Sequence, residues 1–325
     1  VDYGREIIVM KKYPITKVCK ALEISRSNQY QNRKLRPRRY WRKEDVFVLE
    51  EIRAVAKDRS TYGYRRTAGI LRRQRKGVGK RPYNPKRIYR LMAMNDLLIS
   101  RSQEKLERIH DGRIITLRSD LRYCSDIFEI HCWNGEEVHV AFSLDCCDRE
   151  SMAFVARPHD LTHYEIMELM DKTVVGRFGS SVEKLPHPIE WLSDNGGPYT
   201  AHETKAYGKE WGFIVRNTPA YSPESNGMSE AFVGTFKRDY VGTHALPSAA
   251  TVIKQLPGWF EDYSAVAPHS GLGYLSPREY RAEKEKNKAP GFDKSGANRL
   301  GKGRAWSDLE KNMDNRGGLG LSKTG

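Results

Sequence analysis

Two acids and the loops around them define the chemistry this chain can attempt. In LSDNGGPYT, Asp194 closes an apolar run and opens a Gly loop; in YSPESNGMSEAFVGTFKRDY, Glu230 lies one turn inside an apparent helix, with 35 residues between the two acids. An outlying acid, Asp126 in CSDIFEIHCW, interrupts an apolar strand pattern, where a carboxylate must face solvent or a cation. Brought together, such groups form a hard-oxygen site suited to divalent metal held against a nucleic-acid phosphate. Glu129, Asp145 and Asp148 compete with Asp126 for the third place, and spacing and chemistry leave that choice open.

The helix of Glu230 has a readable polarity. Met228, Phe232 and Phe236 recur every four residues and belong to a core face, which puts Glu230 about 200 degrees away around the axis. Gly234 and Lys237 share the face of Glu230. For an isolated Glu this pattern more commonly means a solvated helix surface. Asp-Asn-Gly is likewise common in hairpin turns, but the residues after Asp194 read as helix rather than strand.

The elements that must position these acids occupy residues 119–282. CSDIFEIHCW and EVHVAFSLDCC are β-rich segments joined at Asn134-Gly135, a hairpin signal, and SMAFVAR supplies a third antiparallel strand. A helix from about Thr162 to Phe178, the strand PIEWLSD, the helical AHETKAYGKEWG, the strand GFIVRN and the Glu230 helix follow. This order predicts an α/β fold, a mixed sheet with helices on its faces and catalytic acids at strand ends. Residues 249–264 add a helix, and APHSGLGYLSPREY packs back through Leu272, Tyr274 and Leu275. From 283 the chain is rich in Gly and mixed charge, a composition that predicts a disordered tail over 283–325.

The front of the chain differs in charge. Residues 1–115 hold 31 Lys plus Arg against 12 Asp plus Glu, whereas the whole chain nets +15, so the basic excess lies at the front, as in a polyanion-binding module. Residues 1–40 contain a helix-turn-helix-like segment, with two short helices over 14–34 capped by Thr16 and by Ser25 or Ser27. Residues 41–100 form a basic all-helical domain. Its first helix, from about Asp45 to Lys57, directs Val46, Leu49, Ile52 and Val55 inward, and its later helices leave Arg65, Arg66, Arg72, Arg73, Lys86, Arg87 and Arg90 outward for phosphate. Residues 101–118 read as a linker.

Five cysteines, at 19, 124, 132, 146 and 147, have no spacing that suggests a disulfide framework or a zinc site. No window approaches the ~18 apolar residues of a membrane span, and the charged start is unlike a signal peptide, so the expected location is cytoplasmic.

The motifs together are recognisable. SDNGGPYT at 193–200, SPESNG at 222–227 and Glu230 beyond them resemble the integrase catalytic core of retroviruses and bacterial insertion sequences. YGYRR at 62–66, CSDIFE at 124–129, LDCCDRE at 144–150 and PHSGLGYLSPREY at 268–280 are similar to the OrfB transposases of insertion sequences, over about residues 14–282. The resemblance implies a ribonuclease H-like core in which Asp126, Asp194 and Glu230 hold two Mg²⁺ ions, with Mn²⁺ able to substitute, and selects Asp126 over its neighbours. It implies a DDE-type enzyme, a polynucleotidyl transferase and DNA endonuclease that nicks element ends and transfers the freed 3′ end to target DNA. Lys237 matches a basic position that contacts the element's end; Asn195 and Asn226 flank the acids; Arg65 and Arg66 lie in the region the family uses for DNA binding. Implied partners are DNA, the upstream OrfA product or a frameshift fusion with it, and further copies of this chain on DNA. The start at Val1-Asp2 and the Gly-rich tail depart from the family's pattern. Rival readings, a non-catalytic DNA-binding derivative and a nuclease acting on RNA hybrids, are disfavoured by the complete triad and by the basic front.

Overall fold

A computed structural model describes residues 13–26, 41–99, 116, 118–218 and 227–286. Strands β1 (Arg122–His131), β2 (Glu137–Asp145) and β3 (Ser151–Arg157) form the predicted antiparallel meander, and β4 (Ile189–Ser193) and β5 (Phe213–Asn217) extend it in parallel, in the order β3-β2-β1-β4-β5. The β1–β2 hairpin turns where Asn134-Gly135 requires it. Gly135 has φ +86°, a left-handed conformation that favours a residue without Cβ, and the Asn134 side chain accepts from the Glu136 backbone N–H.

Helices in the order of the chain are α1 (Ile15–Ala21), α2 (Asp45–Asp58), α3 (Tyr64–Gly77), α4 (Pro85–Met94), α5 (His163–Phe178), the short α6 (Gly197–Thr200), α7 (His202–Trp211), α8 (Gly227–Asp239), α9 (Ala249–Ala265) and α10 (Pro277–Lys286). Alternation along the strands sorts the core into two layers. Cys124, Phe128 and Ile130 of β1 meet Phe232 and Phe236 of α8 and Leu256 and Phe260 of α9. On the opposite face Tyr123, Ile189, Trp191 and Phe213 meet Ile166, Leu169, Met170 and Val174 of α5. Thr162 caps α5 through a capping box with Glu165.

The helices of residues 41–99 enclose their own core of Val48, Ile52, Val55, Ile70, Leu71, Ile88, Leu91 and Met92. Val46, expected inside, is exposed, because the buried stripe of α2 runs through Val48 and Leu49 instead. Beneath it Asp45, fully buried, joins α2 to α4 by ion pairs of 2.6 Å to Arg87 and 2.5 Å to Arg90. Burial pushes the Asp45 carboxyl up, but the Arg42 backbone N–H and Arg87 outweigh it and hold it below its ordinary value.

Helix α1 begins at Ile15 after Pro14 rather than at a Thr16 cap; most of the second helix expected over 14–34 lies outside the described residues. Nearly all of the 101–118 linker does too. The boundary expected at 283 shifts: α10 starts on Pro277, where Ser276 and Glu279 exchange hydrogen bonds, and its Glu and Lys residues carry the helix to Lys286. The rest of the tail lies outside the described residues. The described residues up to Arg281 form one compact unit, so the basic helices are packed with the sheet rather than standing apart. No helix of the described residues is long and apolar enough to cross a membrane.

Candidate active site

Parallel pairing of β1 with β4 brings the first two acids together. Cys124 stands opposite Leu192, and carrying that register two residues further sets Asp126 opposite Asp194 on the same face of the sheet. That face is the one covered by α8. Glu230 lies in the first turn of α8, exposed, while Phe232 and Phe236 anchor the helix in the core beside Phe128 and Phe142. Burial first, then the charges of Asp194 and Glu230, push the Asp126 carboxyl up to about 6, against an opposing hydrogen bond from the Ile127 backbone N–H.

Local structure holds each acid. Asp194 Oδ1 accepts from the Gly196 backbone N–H at 3.0 Å; a Cβ on Gly196 would stand 3.1 Å from that oxygen, so the turn is tight against the carboxylate. Asn217, at the end of β5, donates to the Asp194 carbonyl at 2.8 Å and to Ser193 Oγ at 3.2 Å. Under the strand ends, on the face opposite the acids, Tyr199 is buried and shares a 2.7 Å hydrogen bond with Ser125. Asn217 and Tyr199 were not picked out from the sequence, although Tyr199 belongs to SDNGGPYT. The signal available was an aromatic directly after a Gly-Pro helix start.

The donor set is chemically suited to a hard divalent cation: three carboxylates facing one another, with Asp126 pushed up by burial first and then by its like-charged neighbours, charges that a bound cation would offset. Among the described residues no three acids, histidines or cysteines lie close enough together to enclose an ion, so the carboxylates converge without closing to ligating distance.

The other expected residues are distributed differently. Lys237 is exposed on the Glu230 face of α8, its Nζ 5.9 Å from the ring centre of Phe128, two residues along β1 from Asp126. Asn195 is exposed and donates to the Thr218 carbonyl at 2.9 Å, while Asn226 lies outside the described residues. Arg65 points to solvent, as expected. Arg66 does not: it turns inward to a 2.6 Å ion pair with Asp239 at the end of α8. Arg73, Arg87 and Arg90 are also largely enclosed, paired with Glu279, Asp45 and Asp45 respectively. Their expected outward placement is corrected by acids in neighbouring elements, Asp45 and Asp239 buried and Glu279 partly so, whose positions helical periodicity could not reveal.

A five-stranded mixed sheet with helices on both faces, one acid within its central strand and another just past the end of the parallel neighbour, has the ribonuclease H-like architecture of an integrase core. The family described as Integrase core domain matches residues 212–277, and that described as HTH-like domain matches 42–105, which is the basic helical segment rather than 14–34. The chain is 38% identical over 294 residues to the Escherichia coli K12 protein named Transposase InsD for insertion element IS2-9, covering 88% of this chain and 95% of that one. It is 42% identical over 246 residues to the Escherichia coli Transposase InsD for insertion element IS2A/D/F/H/I/K, covering 75% and 81%. The chain belongs to the insertion-element transposase family. Among solved structures, a chain of the simian T-cell lymphotropic virus intasome in complex with PP2A regulatory subunit B56 gamma shows a distant likeness, with a TM-score of 0.43 and 12% identity over 78% of this chain and 80% of that one.

Proposed function

We propose that this chain cleaves DNA at the ends of an insertion element and joins the freed 3′ ends to new DNA, in a divalent-metal-dependent reaction at Asp126, Asp194 and Glu230. The observation that carries this reading is the shared face of the three acids, with Asp126 titrating under the influence of the other two. Asp126 and Asp194 come from adjacent parallel strands and present a fixed pair of carboxylates; Glu230 approaches from α8 as the third. Mg²⁺ or Mn²⁺ held there would supply Lewis-acid charge to the scissile phosphate and to the attacking and leaving oxygens. Lys237, on the same face of α8, meets a phosphate of the element's end, and exposed Arg65 extends the contact along the duplex. Asn195 borders Asp194 and orients the strand, a role that the resemblance also gives Asn226.

Two ends must be held at once, so the chain works as a homo-oligomer on DNA, with the OrfA product or a fusion to it supplying end recognition. A joining assay with labelled end DNA and Mg²⁺, run with this chain alone and fused to OrfA, tests the reading. Joined product that disappears on chelation is expected; no joining in either form would refute it.

A further inference from the structure

The helix that carries Glu230 is held at its far end by the basic helical module. Asp239, the last residue of α8, is 3% exposed and receives Arg66 at 2.6 Å, Thr61 Oγ1 at 2.7 Å and Arg238 at 2.8 Å. Burial pushes the Asp239 carboxyl up, but hydrogen bonds from Arg238 and Arg66 outweigh it and hold it below the ordinary range, so it is a charged anchor. Arg238 belongs to α8 itself and cannot fix that helix to anything else. Arg66 and Thr61 come from the segment that opens α3, and they can.

Arg66 is set firmly. Its guanidinium lies 3.6 Å from the ring centre of buried Tyr62, and its Nε and Nη1 are enclosed without a hydrogen-bond partner, leaving Nη2 for Asp239. A second latch sits beside the first: Arg59 grips both carboxylate oxygens of Asp262, at 2.5 and 2.6 Å, and Tyr240, the residue after Asp239, donates to the same carboxylate at 2.7 Å. The other end of α3 is tied down too, where Arg73 holds Glu279 and the Val266 carbonyl.

We propose that Arg66 is a positioning residue for Glu230. From the helical module it fixes the C-terminal end of α8, and through that rigid helix it fixes the acid nine residues back, roughly 13 Å away along the axis. The adjacent arginines of YGYRR thus divide their work: Arg65 faces DNA and Arg66 faces the core. The module that grips DNA thereby also sets the geometry of the acid that acts on it. This rests on Glu230 being the third carboxylate of the proposed site.

The test uses the full chain and compares Arg66→Ala, Arg65→Ala and Asp239→Asn by three measurements: kcat for strand transfer, affinity for end DNA, and affinity for Mn²⁺ alone without DNA. Arg66→Ala and Asp239→Asn should each lower kcat by about 10²-fold, the loss expected from a misplacement of ~1 Å, and weaken Mn²⁺ binding, with DNA affinity unchanged. In the double variant the losses should not add, because the two residues form one contact. Arg65→Ala should instead weaken DNA binding and leave Mn²⁺ affinity alone. If Arg66→Ala behaves like Arg65→Ala, or if folded Asp239→Asn keeps full kcat and Mn²⁺ affinity, the proposal is overturned. Should Arg66→Ala fail to fold, Asp239→Asn, which keeps size and removes only charge, decides. A wild-type chain that joins no ends, either alone or fused to OrfA, refutes the transposition reading; the Mn²⁺ comparison still tests the anchor.

Discussion

Two clusters of acids flank the same sheet and differ in what surrounds them. Asp120, Asp145, Asp148 and Glu150 surround Arg177, which is 2% exposed and reaches Asp120 and Glu150 at 2.6 Å, Asp148 at 2.7 Å and Asp145 at 3.4 Å. Asp145 also accepts the backbone N–H groups of Asp120, Cys147 and Asp148. That cluster is saturated by donors within the chain, and it ties the β2–β3 turn to α5. Asp145 is nonetheless pushed up to about 7 by burial and the like charge of Asp148, as Asp126 is pushed up to about 6 by burial and the like charges of Asp194 and Glu230. Repulsion is common to both clusters; what sets the first apart is that its compensating cation, Arg177, comes from within the chain. Asp145 and Asp148, which competed with Asp126 in the sequence, are thereby assigned to structure.

The strongest way to break this contrast is to neutralise each cluster in turn. Asp126→Asn, Asp194→Asn and Glu230→Gln should each reduce strand transfer on the order of 10³-fold or more, while DNA binding in a gel-shift assay is retained. If Asp145→Asn, still folded, caused the same catalytic loss, the two assignments would be the wrong way round.

Removing the central cation of the other cluster should act on stability. Arg177→Met leaves buried Asp145 and Asp148 uncompensated, and a loss of about 3–5 kcal/mol is expected from denaturant midpoints. An unchanged midpoint would mean that Arg177 is dispensable and the cluster not structural.

A pH series sharpens the contrast at Asp126. Its folded carboxyl sits at about 6, above its ordinary value of 3.8, so the folded state holds the proton more tightly and metal-free stability falls as pH rises through that interval. Asp126→Asn should therefore melt a few degrees higher than wild type at pH 7 without metal, and the difference should vanish below about pH 4. A lower melting point for the variant at pH 7 would contradict the repulsion.

The smallest effect concerns the edge of the site. Lys237→Ala should weaken end-DNA binding severalfold and reduce the salt slope of log K by about 1, with metal affinity retained. A loss of metal affinity instead would place Lys237 inside the carboxylate geometry rather than beside it.

Much of this was legible because the signals are local. The β1–β2 turn follows from Asn134-Gly135, the faces of α8 follow from Phe232 and Phe236 at helical spacing, and the strand-to-loop exit at Asp194 follows from an apolar run meeting glycines. The placement of Glu230 and Lys237 on one exposed helix face needed only 3.6 residues per turn. The arginines failed for the opposite reason. Periodicity says that Arg66, Arg73, Arg87 and Arg90 avoid the apolar stripe of their own helices, but not whether another element brings an acid to meet them. Asp239, Glu279 and Asp45 do so from up to 206 residues away.

The sequence by itself determined the element order, the apolar faces and the acids capable of phosphate chemistry, since backbone periodicity and turn residues act within a few positions. Only the tertiary structure set Asp126 opposite Asp194 through the parallel β1–β4 register, surrendered Asp145 and Asp148 to Arg177, and turned Arg66 inward to hold the helix of Glu230. Pairing between charges is decided by which long-range neighbours share a desolvated space, and no local pattern encodes that.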